Sequence, residues 1–295
     1  MTLPINQIAR VFPTRTSFSP DDEHAYFEDP PMNTFYEEVH ISVTFTWSIP
    51  KAKTLYKNWS KCCDIIKMGG PAFGDPGDTF VAGKYLRKGI TITSRGCPNK
   101  CPFCFVPKRE GDLRELPIIS GNIIQDNNIL ACSNSHLDNV FEMLKAQKQI
   151  EFKGGLEARR VTPKIAEKLR ELRIKSLWLA CDTPSSLPTV KNAITTLKKA
   201  GFLKSHIYCY VLIGNNMEEE KCRLIEIYNS GAMPFAQLYI NDANDIFYSK
   251  KWKSFQRTWS RPAIIRRRMN PQEQRAGQLG LFDESKQFTV KGLFK

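Results

Sequence analysis

From residue 88 onward the chain alternates short apolar runs with amphipathic stretches, and this rhythm limits the fold more than any other feature. KGITITSRG (88–96), NIIQDNNILA (122–131), IEFKGGLEARRV (150–161), IKSLWLACDT (174–183), HIYCYVLIG (206–214) and MPFAQLYIND (233–242) read as strands rich in β-branched and aromatic residues. HLDNVFEMLKAQK, TPKIAEKLRELR, LPTVKNAITTLKKAG and MEEEKCRLIEIYNSG lie between them with apolar residues at helical spacing. Thr162 is placed to cap a helix that Pro163 opens, and Gly201 to stop the next one. Strands separated by helices pair in parallel through right-handed crossovers, so the expected class is α/β. Six such units curl into a barrel or an open part of one, with the chemistry on the loops that follow the strands.

The segments on either side differ. Residues 1–83 read as a small α/β unit: a proline-rich irregular start, then a strand at VHISVTFTW, a helix from Lys51, and a short strand ending in Gly69-Gly70. Residues 84–245 form the expected core, and residues 246–295 a basic extension and polar tail. No apolar run is long enough for a membrane span and no signal peptide is evident, so a cytoplasmic location with no membrane partner is expected. The net charge is +13, which favours anionic partners such as DNA or RNA.

Three of the nine cysteines, Cys97, Cys101 and Cys104, stand as C-x3-C-x2-C in the loop after the first core strand, with Phe103 before the last. The other six are scattered and read as small buried hydrophobes. Three thiolates can hold three corners of a cubane cluster and leave one iron open, as a catalytic metal site requires. The alternative is a zinc site completed by histidine, but His24, His40, His136 and His206 all lie away from ligand spacing.

CPNKCPFC after a first barrel strand resembles the signature of the radical S-adenosylmethionine (radical SAM) enzymes. The resemblance implies a partial (β/α)6 TIM-like barrel, a 4Fe–4S cluster on Cys97, Cys101 and Cys104, and SAM at the open iron. It further implies reductive cleavage of SAM to a 5′-deoxyadenosyl radical, with a reductant such as flavodoxin or ferredoxin. By position, Asp126, Asn127 and Asn128 would meet the methionyl amino group, and Phe103 would lie beside the cluster. Glu157 and Arg159 alternate on the third strand, so Arg159 could hold a carboxylate. Asp182 matches the ribose contact, and Val211, Ile213 and Gly214 match the stretch that meets adenine. KMGGPAFG gives the N-terminal unit a likeness to a shortened cobalamin-binding domain. However, Asp22-Glu23-His24 is followed by Phe27 where glycine is needed, so no cobalamin is expected.

In the tail, Gln278-Leu279-Gly280-Leu281-Phe282 resembles the peptide by which bacterial repair proteins dock on the sliding clamp. The leading expectation is a radical SAM enzyme of unassigned substrate, with nucleic acid as a candidate. The alternatives are the same chemistry on a peptide or small metabolite, and a non-enzymatic DNA- and clamp-binding module with a structural metal.

Overall fold

The computed structural model describes residues 8–74, 80–81, 83–241 and 246–270. The QLGLF pentapeptide lies outside the described residues.

The N-terminal sheet holds β1 (Ile8–Val11), β2 (Ala25–Tyr26), β3 (Tyr36–Ser42) and β4 (Cys63–Gly69), all parallel in the order β2-β1-β3-β4. The helix α1 (Ile49–Trp59) covers one face, burying Ala52, Leu55 and Trp59 against Val11, Val39 and Ile41. Strand β1 lies within the segment that the sequence marks as irregular. It is a buried strand at the centre of this sheet, and its four residues are too few to show periodicity.

The core follows with β5 (Ile90–Thr91), β6 (Ser94–Arg95), α2 (Val106–Arg109), β7 (Arg114–Glu115), β8 (Ile123–Ile124) and α3 (Asn134–Lys145). Next come β9 (Ile150–Phe152), α4 (Pro163–Arg170), β10 (Ile174–Ala180), α5 (Leu187–Lys199), β11 (Ile207–Ile213), α6 (Met217–Ser230) and β12 (Met233–Leu238). Helices α7 (Lys250–Trp259) and α8 (Pro262–Met269) close the described chain.

The six core strands β5, β8, β9, β10, β11 and β12 form one parallel sheet, each beside its sequence neighbour. Among the described residues its edges, β5 and β12, are not joined, so the sheet is open. Strand β11 shows why it holds: Ile207, Cys209, Val211 and Ile213 are buried while Tyr208, Tyr210 and Leu212 are only half so. The buried set packs with Leu224, Ile227, Ile194 and Leu197 of α6 and α5. On the opposite face Trp178 stacks on Tyr208 and Tyr210, with ring centroids 4.6 and 4.4 Å apart, and meets Phe235 edge-on. Thr162 caps α4 as expected, accepting from the Ile165 N–H, and Gly231 ends α6 in a left-handed conformation.

The first three core strands are shorter than their apolar runs suggest. Strand β9 ends at Phe152, and Glu157 precedes a single 3-10 turn at Ala158–Arg160. Glu157 and Arg159 are therefore not alternating strand residues, which corrects the expectation. Cys222 is exposed on α6, and Cys62 and Cys63 are half-buried, so only Cys132, Cys181 and Cys209 of the six are buried hydrophobes. No helix among the described residues is long and apolar enough to cross a membrane.

Candidate functional site

The cysteine loop is tied at its base before it presents any thiol. Strands β6 and β7 pair antiparallel, and Arg95 donates to Glu110 Oε1 at 2.7 Å. The Cys97 N–H bonds the Gly111 carbonyl at 3.3 Å, closing the loop. Gly96 adopts φ +79°, and a Cβ there would fall 2.0 Å from the Asp112 carbonyl oxygen, so glycine is required.

Asp126 holds the loop to the end of the second core strand. It is 1% exposed and accepts from the Thr93 N–H at 2.8 Å, Thr93 Oγ1 at 2.7 Å and Ser94 Oγ at 2.7 Å. Burial pushes its carboxyl above the ordinary value, and the Ser94 and Thr93 bonds pull against that. Its neighbours face the cysteine loop: Asn127 Oδ1 accepts from the Gly96 N–H at 3.0 Å. Asn128 Nδ2 lies 3.4 Å from Cys97 Sγ and 2.8 Å from Glu157 Oε2. The Asn128 Oδ1 atom is buried and has no partner among the described residues. A buried acceptor left unmatched costs stability until a donor reaches it.

Cys97, Cys101, Cys104, Phe103, Asn127, Asn128, Glu157, Arg159 and Asp182 all line a cavity of about 490 Å³. A neighbouring cavity of about 450 Å³ shares Phe103, Asp182 and Thr183 with it and adds Ile213 and Gly214. The structure thus brings together nearly every residue expected from sequence. Asp126 and Val211 line neither cavity: Asp126 faces Thr93 and Ser94, and Val211 of β11 is buried in the core with residues of α5 and α6.

The electrostatics of the wall are uneven. Burial pushes the Cys101 and Cys104 thiols up, and the neighbouring cysteines add to it, a penalty that a positive group among them would reverse. Burial also acts upward on Glu157, but the bonds from Asn128, Asn99, Arg159 and Arg160 outweigh it and hold its carboxyl low. Arg159 Nη2 reaches Asn99 Oδ1 at 3.0 Å, spanning from the third strand's loop to the cysteine loop.

Asp182, at the end of β10, is raised by burial to about 6, against a weaker downward pull from Arg223. The folded protein therefore binds this proton more tightly than the unfolded chain. The stability this gives is full below 3.8 and lost as the pH climbs through 6. Asp182→Asn is expected to remove that dependence and to stabilise the unliganded protein by about 2 kcal/mol at neutral pH. Urea midpoints measured at successive pH values check this; a variant that keeps the wild-type slope refutes it.

Three features were missed in the sequence. Glu220 accepts from the Gly214 N–H at 3.0 Å and the Asn215 N–H at 3.0 Å, fixing the turn after β11. Arg223 donates to the Leu212 carbonyl. Gly154, beside the cavity, presses on the Asp126 backbone. Glu220 was hidden in a run of three glutamates, but Glu220, Arg223, Leu224 and Ile227 share one buried helical face.

The four histidines are engaged elsewhere: His24 with Tyr36, His40 with Glu38 and Tyr85, His136 near Glu115, and His206 with Leu203. Among the described residues no three His, Cys, Asp or Glu side chains are gathered into a single-ion site. The donor set of the loop, three thiols around one cavity beside an unmatched acceptor, is of the kind a cluster with an open position would use. In comparison with known proteins, the chain matches no family model and no curated sequence.

Proposed function

We propose that the chain is a radical SAM enzyme whose core is a partial (β/α)6 TIM-like barrel. The barrel reading is supported by the sequential parallel order of six strands, with the aliphatic face under helices and an aromatic face opposite. The observation that carries the function is the unmatched Asn128 Oδ1 in the wall that also holds the three cysteines. A 4Fe–4S cluster on Cys97, Cys101 and Cys104 would supply the electron that splits SAM to methionine and a 5′-deoxyadenosyl radical, which takes hydrogen from the substrate.

The chain's own residues then divide the binding. Asn128 Oδ1 accepts from the methionyl ammonium, and its Nδ2 group donates toward Cys97 Sγ. Arg159, two-thirds exposed at the rim, offers its free N–H groups to a carboxylate. Asp182 lies between the two cavities, where a ribose would pass, and the backbone at Ile213 and Gly214 borders the second cavity, where adenine would sit. Asp126 acts only by positioning: it fixes Thr93 and Ser94, and through them the loop.

The test is anaerobic: reconstitute the cluster, add dithionite and SAM, and quantify 5′-deoxyadenosine by mass spectrometry. Product is expected from the wild type. A reconstituted cluster whose EPR signal does not respond to SAM would favour a structural metal instead.

A further inference from the structure

Helices α7 and α8 carry Lys250, Lys251, Lys253, Arg257, Arg266, Arg267 and Arg268, with Arg261 in the turn between them, and between residues 246 and 270 there is no aspartate or glutamate. All eight cations are exposed. Among the described residues none of them makes an ion pair. Like charges three and four residues apart on a helix repel, so the face is destabilising until an anion covers it. The crowding extends to α5 and the turn before β11. There Lys204 is held down to about 8 by burial first, then by Lys198 and Arg266.

The apolar side of these helices is already used. Tyr248, Trp252, Phe255 and Trp259 form a ladder of ring contacts at 6.2, 5.9 and 6.4 Å. Trp252, Phe255, Trp259, Ile265 and Met269 pack into the main core. No apolar face of either helix is left for a bilayer, which interfacial helices need. The exposed side also lacks the row of rings on which single strands stack. One ring is free: Phe247, 93% exposed, between Ile246 and Tyr248 on the wall of the second cavity. A single exposed phenylalanine beside a basic surface suits the wedge that parts a base step of duplex DNA. RNA duplexes, by contrast, are held largely by contacts to their 2′-hydroxyls.

We propose that the exposed face of α7 and α8 is a docking surface for the backbone of duplex DNA, with Phe247 meeting the bases at the mouth of the cavity. Lys250 follows Tyr248 by two residues, so DNA held on α7 lies next to the site. Enzymes that act on a base must take it out of the stack, and a wedge at the rim would begin that step. That DNA is then the substrate rests on the radical SAM reading; the docking does not.

The test reads binding alone, so its failure and that of the radical chemistry are told apart. Fluorescence anisotropy of the full chain with a fluorescein-labelled DNA duplex of about 24 base pairs, followed across KCl concentrations, should give a steep salt slope, about 0.9 per phosphate neutralised. Lys250→Ala, Lys251→Ala and Lys253→Ala together, and separately Arg266→Ala, Arg267→Ala and Arg268→Ala together, should each lower affinity about tenfold and flatten the slope by about 2–3. Circular dichroism confirms that the variants fold. Phe247→Ala should keep most of the affinity but lose the 2-aminopurine brightening that the wild type induces in the duplex. The proposal is overturned by unchanged affinity in both triple variants, by tighter binding to phosphatidylserine vesicles or an RNA duplex, or by brightening that survives Phe247→Ala.

Discussion

Cys101→Ala is expected to abolish 5′-deoxyadenosine formation, lowering it at least about a thousandfold, and to reduce the iron retained after reconstitution. The size of the effect follows from the ligand count. The loop supplies three thiols to the cavity, and none of the four histidines lines it to replace one. With two thiolates left, a four-iron cluster loses one corner to solvent and is no longer held with a single open iron. Cys101 is the most informative of the three, because Cys97 also receives N–H bonds from Asn99 and Asn128 and its loss would disturb the wall as well. Cys222→Ala is the matched control: it removes an exposed thiol on α6 and should leave iron content and product unchanged. A Cys101→Ala protein that still cleaves SAM would end the radical reading. One that loses its iron while the wild type makes no product would point to a structural metal.

The legible parts of the chain were those whose reasons are local. Strand β11 and helices α5 and α6 follow from periodicity, since each buries a regular set of side chains against its neighbour. The cysteine spacing and its place after a strand pointed to one cavity, and Phe103, Asn127, Asn128 and Asp182 line it with the cysteines because strand ends share one rim. Other parts depend on contacts distant in sequence. Apolar runs at the first three core strands continue past the paired residues, but beyond Thr91 the backbone is bonded by the Asp126 carboxylate instead of a ladder. No pattern within residues 122–131 says that Asp126 faces Thr93 and Ser94 while Asn127 and Asn128 face the cysteine loop. That division is set by Thr93 and Ser94, roughly thirty residues away. Strand β1 was likewise too short to declare itself and is defined by β3 on one side and β2 on the other.

Gly154→Ala tests that division directly. A Cβ at residue 154 would stand 2.0 Å from the Asp126 carbonyl oxygen and 2.9 Å from its carbonyl carbon and nitrogen. These are backbone atoms, and Asp126 cannot step aside without breaking its bonds to Thr93 and Ser94. The ends of the second and third core strands must therefore part, at a cost of about 3 kcal/mol or more. The displacement carries Asn127 away from Gly96 and Asn128 away from Cys97 and Glu157, so the SAM affinity that the proposed function requires should fall with stability. Gly155→Ala is the instructive comparison. Its Cβ would meet nothing nearer than the Trp178 carbonyl oxygen at 4.0 Å, and it carries only the strain of φ +102°, about 1–2 kcal/mol. Thermal denaturation of the two variants should rank Gly154→Ala as clearly the less stable. The opposite order would mean that the Asp126 backbone is not pressed against the third strand, and that Asn128 is held over the cysteines by Glu157 alone.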